Sequence, residues 1–266
     1  MSSEHVPALK VRGLTVRFGG LVAINNVDVD IDANVVTAIV GPNGAGKTTF
    51  LNALGGYLRA HGPSGEVTAF GRETMQMRPA ALAALGCGRS FQDPRLIESR
   101  TLLENVLGGG HLGAGYRPID QLVRPGLVRR RERAMRDEAM GILEQVGLGA
   151  SAAVPVSDLP YGARKLGDIA RAMLGRPVVL MLDEPSSGLD ADEQVRVAEI
   201  INDIRRRGDT TVVVVEHHMD LVRAVADRVL VLVAGSRHMY GDTAEILDSP
   251  AFEAVLNGLA DVRQAS

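Results

Sequence analysis

The sequence predicts an α/β fold: a parallel sheet flanked by helices, with an N-terminal antiparallel β subdomain and an inserted helical subdomain. Three observations carry this. Two continuous apolar runs, PVVLML before Asp183 and TVVVV before Glu216, read as strands buried on both faces, as in a parallel sheet. Residues 9–40 instead fall into short alternating segments (LKVRGLTVRF, VDVDI, VVTAIV). These are punctuated by Gly–Gly and Asn–Asn pairs that read as turns, so an antiparallel sheet leads into a buried strand at Val36–Val40. Residues 93–156 are Gly-interrupted, helical in pattern and rich in charge between Arg124 and Glu144, as expected of an inserted lobe.

The remaining elements follow in order. A helix is expected from Lys47 to about Tyr57. The stretch SDLPYGARKLGDIARAM (157–173) reads as a tight turn feeding an amphipathic helix, with Leu166, Ile169, Ala170 and Met173 on its apolar stripe. Asp190 and Glu193 have capping-box spacing for a helix running to about Arg207. The Arg-rich run RPGLVRRRERAMR (124–136) reads as a solvated helix face, with anionic lipid headgroups as the alternative contact. The expected division is a core of residues 1–92 and 170–266, with 93–169 as the helical subdomain carrying the 159–163 turn.

Bulk properties narrow the function. The 266 residues can bury a substantial core. A formal net charge of −3 supplies no basic field that would recommend nucleic acid as a partner. A single cysteine, Cys87, cannot staple the fold and fits a reducing, cytoplasmic setting. The opening MSSEHVPALK lacks the basic and apolar regions of a secretion signal. Apolar runs such as Val229–Ala234 are far short of the roughly 20 residues that cross a bilayer, so any membrane role requires a partner.

Residues 41–48, GPNGAGKT, match G-x-x-x-x-G-K-[ST] in full, between a buried strand and a helix. Gly41, Gly44 and Gly46 let the backbone curl so that its N–H groups point at phosphate oxygens, and the helix starting at Lys47 adds its positive end. Lys47 is expected to bridge the β- and γ-phosphates and Thr48 to ligate Mg²⁺. Asp183, ending a buried strand, is the second candidate ligand. Glu184 beside it is suited to deprotonate an attacking water.

Six motifs in order make a resemblance specific: GPNGAGKTT, FQD at 91–93, LPYGA at 159–163, LMLDEP at 180–185, SGLD at 187–190 and EHHMD at 216–220. Along nearly its whole length the chain resembles the ATP-binding subunit of an ABC transporter. The resemblance implies a P-loop NTPase core with ATP and Mg²⁺ as its ligands. It implies that Phe18 stacks on adenine and that Asn43, Ala45 and Thr49 join the phosphate loop. Gln92 would reach Mg²⁺ and the attacking water, and His217 the γ-phosphate, while His218 is given a structural reading. Tyr161, Gly162 and Asp190 would face the ATP held by a second ATP-binding subunit, identical or not, so that two chains complete two sites. Transmembrane permease subunits are the further implied partners. The location implied is peripheral, on the cytoplasmic face of the membrane.

Two departures stand out. Pro160 replaces the usual serine of the turn, losing a hydroxyl whose bond to phosphate is worth about 1.5–3 kcal/mol. Ala163 replaces a glutamine. FGGLVAINNV, GRSFQD, the tyrosine in the turn and EHHMDLV resemble the importer branch for branched-chain amino acids, which includes carriers of urea and short amides. A soluble ATPase serving assembly rather than transport is the rival reading. Leu96, Ile97, Leu102 and Leu103, near the Gln92 loop, are candidates for permease contact or for lobe core.

Overall fold

The computed structural model describes residues 7–58, 62–110 and 125–255. Residues 1–6 of the opening MSSEHVPALK and Arg124 of the Arg-rich run lie outside the described residues. Strands β1 (Pro7–Phe18) and β2 (Leu21–Asp32) pair antiparallel across Gly19–Gly20. Val11, Leu14 and Val16 of one strand and Ile24, Val27 and Val29 of the other are buried, which is the physical meaning of the alternation. Asn25–Asn26 does not reverse the chain. It lies inside β2, where Asn26 takes φ +51° and two residues oppose Thr15 alone, making a bulge. Asparagine tolerates the left-handed region, so this pair bends a strand where a turn was expected. β4 (Ser64–Ala69) joins the other edge of β1, and β5 (Arg72–Glu73) joins β4, in the order β2-β1-β4-β5.

That sheet has the order β10-β9-β3-β8-β7-β6. Its members β3 (Val36–Val40), β6 (Cys87–Arg89), β7 (Val179–Asp183), β8 (Thr211–Val215) and β9 (Arg228–Val233) run parallel, and β10 (Ser236–Asp242) returns antiparallel to β9. Every residue of β3, β7 and β8 is buried, as their unbroken apolar runs require. In the register, Ile39 and Asp183 both lie beside Val215. The segments leaving these three strands therefore gather at one edge, the usual ligand-binding edge of an open α/β sheet. Burial pushes the thiol of Cys87, in β6, up to about 12.

Helix α1 (Lys47–Leu54) stops short of the expected Tyr57 because Gly55 and Gly56 follow, Gly56 with φ +75°. α2 (Pro79–Ala84) precedes β6. The lobe consists of α3 (Leu102–Gly110), α4 (Pro125–Gln145) and α5 (Tyr161–Met173). Leu102 and Leu103 are buried against lobe residues such as Leu143 and Ile169, so they are core and offer nothing to a partner. Ile97 remains 55% exposed. The arginines of α4 from Arg129 to Arg136 are exposed, in keeping with a solvated face. α6 (Ala191–Arg207) opens on the Asp190–Glu193 capping box and ends at Gly208, φ +68°. α7 (Met219–Val225) follows β8, and α8 (Thr243–Leu247) follows β10. One apolar cluster joins the antiparallel sheet and α1 to the large sheet, and a second joins the large sheet to the lobe and α6. No helix among the described residues is long and apolar enough to cross a membrane.

Candidate active site

The loop between β3 and α1 is shaped by close approach. At Gly46, φ is +93°, and a Cβ would stand 2.4 Å from the Ala23 carbonyl oxygen and 2.7 Å from Ile24 Cδ1. Gly44, φ +79°, faces open space instead. No side chain caps α1, so its leading N–H groups are available to an anion. Lys47 folds back, its Nζ donating to the carbonyls of Gly41 and Pro42, both at 2.8 Å. Burial lowers the pKa of this ammonium, while Glu184 and Asp183 oppose the shift.

Asn43, Gly44, Gly46, Lys47, Thr48 and Thr49 line a cavity of about 900 Å³. Gly41 and Ala45 hold its loop from outside the lining: the Ala45 N–H donates to Pro42 O and its carbonyl accepts from Gly235. Phe18 stands at the rim, 36% exposed rather than packed inside its hairpin. The sequence did not announce the other walls, formed by Leu21–Ala23 and by the β9–β10 turn at Ala234–Gly235.

Gln92, Glu184 and His217 line the same cavity. Gln92 Nε2 donates to Glu184 Oε2 at 3.0 Å, and His217 Nδ1 is 4.0 Å from that oxygen. Glu184 has φ +46°, a conformation non-glycine residues seldom hold, and its N–H donates to Val215 O at 2.9 Å. Behind it, Asp183 Oδ1 accepts from Thr48 Oγ1 at 3.2 Å and Oδ2 from Arg89 Nη2 at 3.1 Å. Burial pushes the Asp183 carboxyl upward, and the Arg89 charge and the Thr48 hydroxyl pull it back. A carboxylate and a hydroxyl side by side in a desolvated site are hard oxygen donors that suit a small divalent cation.

Several supporting residues carried no local signal. Arg89 also donates to Leu51 O and Asn52 Oδ1, tying β6 to the end of α1. Glu216 is fully buried; it accepts from Ser186 N at 2.9 Å and from His217 N at 3.0 Å, binding two loops together. His218 pairs with Ser186 Oγ at 2.7 Å and precedes α7, which agrees with a structural part. The SFQ and EHH strings mark where these groups lie but not what they touch.

Tyr161, Gly162 and Asp190 do not line the cavity. α5 begins at Pro160 with no side-chain cap. Tyr161 lies against Gly188 and is 45% exposed. A Cβ on Gly162 would fall 1.7 Å from Glu193 Oε1, so the turn is pressed onto the capping box of α6. The three residues form a separate corner.

A glycine-rich loop running into an uncapped helix end, with a lysine, a carboxylate and hydroxyl beyond it and an aromatic rim, suits a nucleoside triphosphate. Comparisons with known proteins agree. Residues 24–187, more than half the chain, match the family described as ABC transporter. The chain is 36% identical to the high-affinity branched-chain amino acid transport ATP-binding protein LivG of Salmonella typhimurium, over 92% of its own length and 95% of the relative's. It is 36% identical to BraF of Pseudomonas aeruginosa, a protein of the same description, with the same coverage. An ABC transporter's ATP-binding cassette in its ADP conformation superposes with a TM-score of 0.76 at 27% identity, covering 94% of this chain and 98% of that one. A dimeric cassette in a post-hydrolysis state with ADP and Pi gives a TM-score of 0.74 at 25% identity, covering 88% and 98%. The chain belongs to the ABC transporter family, as one of its ATP-binding and ATP-hydrolysing cassettes.

Proposed function

We propose that this chain couples ATP hydrolysis to the import of branched-chain or other hydrophobic amino acids. It works as one of a pair of cassettes beneath membrane-spanning permeases, peripheral on the cytoplasmic face. The convergence of Gln92, Glu184 and His217 on the phosphate end of the cavity carries the catalytic half of this reading. The transport for which LivG and BraF are named supports the cargo.

In this reading Phe18 stacks on adenine, and the loop amides from Gly41 through Ala45 to Thr49 receive the phosphates. Lys47 exchanges the Gly41 and Pro42 carbonyls for phosphate oxygens, which relieves the penalty that burial puts on its charge. Thr48, Asp183 and Gln92 would hold Mg²⁺, which neutralises phosphate charge and orients the triphosphate when bound. Glu184 takes a proton from water as that oxygen attacks the γ-phosphorus and the bond to the β-phosphate's bridging oxygen breaks, leaving ADP and phosphate. Gln92 fixes the carboxylate's orientation, and His217 meets the γ-phosphate from the other side.

Tyr161, Gly162 and Asp190 serve the ATP of a neighbouring cassette, a reading that the exposed, uncapped corner and the dimeric relative both support. The core of 1–92 and 170–266 and the lobe of 93–169 then meet within α5, which both parts share. A groove of about 140 Å³ lined by Tyr57, Leu82, Cys87, Arg89, Gly109 and Arg171, between core and lobe, has room for one or two side chains of a permease helix.

Glu184→Gln tests the chemistry. Hydrolysis is expected to fall about 10²–10⁴-fold, the usual contribution of a general base, with ATP-bound dimers accumulating. Normal turnover in that variant ends the assignment of the base. Uptake of leucine against urea, with the permeases reconstituted, tests the cargo.

A further inference from the structure

Helix α5 carries three charged residues at i, i+3 and i+6 that turn inward: Lys165 and Asp168 are 2% and 0% exposed, and Arg171 is partly buried. All three bond the backbone of one short segment, residues 89–92. The Lys165 ammonium donates to the Gln92 carbonyl. Asp168 Oδ2 accepts from the Phe91 N–H at 2.8 Å. Arg171 Nη2 donates to the Arg89 carbonyl at 3.0 Å, while its Nε and Nη2 hold the other Asp168 oxygen at 3.0 and 2.8 Å. The Phe91 ring is packed among cations as well, with Arg95 at 4.0 Å, Arg89 at 5.3 Å and Arg171 at 5.9 Å from its centroid.

We propose that Lys165, together with Asp168 and Arg171, is a positioning residue for hydrolysis: the three fasten α5 to the backbone that carries Gln92, so helix and glutamine shift as one body. Burying a lysine against a main-chain carbonyl has a desolvation cost that an apolar residue on this stripe would avoid. The bond lies close to the tip of the helix. Gly162 and Lys165 are three residues apart, about 4.5 Å along the axis. A displacement of the Tyr161–Gly162 corner by a neighbour's triphosphate is thereby delivered to Gln92, and through its 3.0 Å bond to Glu184. The inference rests on the part given to Gln92 above and adds the group that holds it.

The test is a double-mutant cycle on the purified full chain with Mg-ATP, using Lys165→Met, Gln92→Ala and the pair. Lys165→Met is expected to lower kcat about tenfold with KM for ATP within twofold, and to change kcat less than twofold in the Gln92→Ala background. Lys165→Arg, which keeps a donor, should restore most of the loss. Hydrogen exchange of residues 89–93 without nucleotide gives a reading independent of turnover. It should speed up at least tenfold in Lys165→Met and stay unchanged in β8. Should Lys165→Met fold poorly, Arg171→Gln, at the partly exposed end, is expected to accelerate the same exchange. Full turnover in Gln92→Ala overturns the part given to Gln92. An impaired Gln92→Ala beside an unimpaired Lys165→Met, or losses that simply multiply in the pair, overturns the fastening alone.

Discussion

Helices α1 and α5 both begin without a side-chain cap, and the two ends are finished differently. Around α1, polar groups find partners in the same chain: Lys47 on Gly41 and Pro42, Thr48 on Asp183, Gln92 on Glu184. Around α5, Pro160 supplies no cap, Tyr161 is 45% exposed, and Gly162 rests on Glu193 rather than on anything facing a ligand. The first region is a pocket with walls; the second is an open surface, which in the proposed function meets the ATP of a neighbouring chain. A helix end can therefore be walled in or left open, and the difference lies in what the rest of the chain builds around it.

The sharpest way to break the first region is from behind. Arg89 and Asp183 are a buried pair, their side chains 7% and 3% exposed, so Arg89→Met leaves a buried carboxylate uncompensated. Breaking such a pair costs about 3–5 kcal/mol, which denaturant unfolding should show. Gly46→Ala comes next, because strain at φ +93° and collision with Ala23 and Ile24 act together. A loss of about 2–4 kcal/mol is expected, with nucleotide binding abolished in calorimetry.

The second region should respond without disturbing the first. Gly162→Ala pushes the flexible Glu193 carboxylate out of the α6 capping box, for about 0.5–2 kcal/mol. ATP affinity of the single chain should hold within twofold while ATP-dependent association fails, and Glu193→Ala should partly restore it. Equal damage to ATP affinity would mean that the two regions are not separable. Pro160→Ser has the smallest effect. A hydroxyl at the open N-cap of α5 should raise stability by about 1 kcal/mol and favour ATP-driven pairing. Unchanged melting and unchanged pairing would remove the idea that this corner lacks a hydroxyl.

The sequence was legible where function depends on neighbours along the chain. Gly41 to Thr48 dictates its own backbone, and the Asp190–Glu193 spacing is a helix start wherever it occurs. Asn25–Asn26 misled because the same left-handed preference serves a turn or a bulge, and only the pairing with β1 decides between them. Lys165 was invisible for another reason. Its partner, Gln92, is 73 residues away, and reading α5 by its apolar stripe assigns a charged neighbour of Leu166 to solvent. Glu216 and Arg89 likewise acquire meaning from loops brought together by strand order, which no local pattern encodes.

Cys87 has a practical consequence. A thiol held near 12 is almost wholly protonated at neutral pH, and only the thiolate reacts with alkylating or disulfide-forming reagents. The natural chain is thus a quiet background for chemical labelling. Single cysteines set at Asn43 and at Tyr161, both exposed, could be bridged by bifunctional crosslinkers, and the spacer length that joins two copies would measure how far apart the loop and the corner stand.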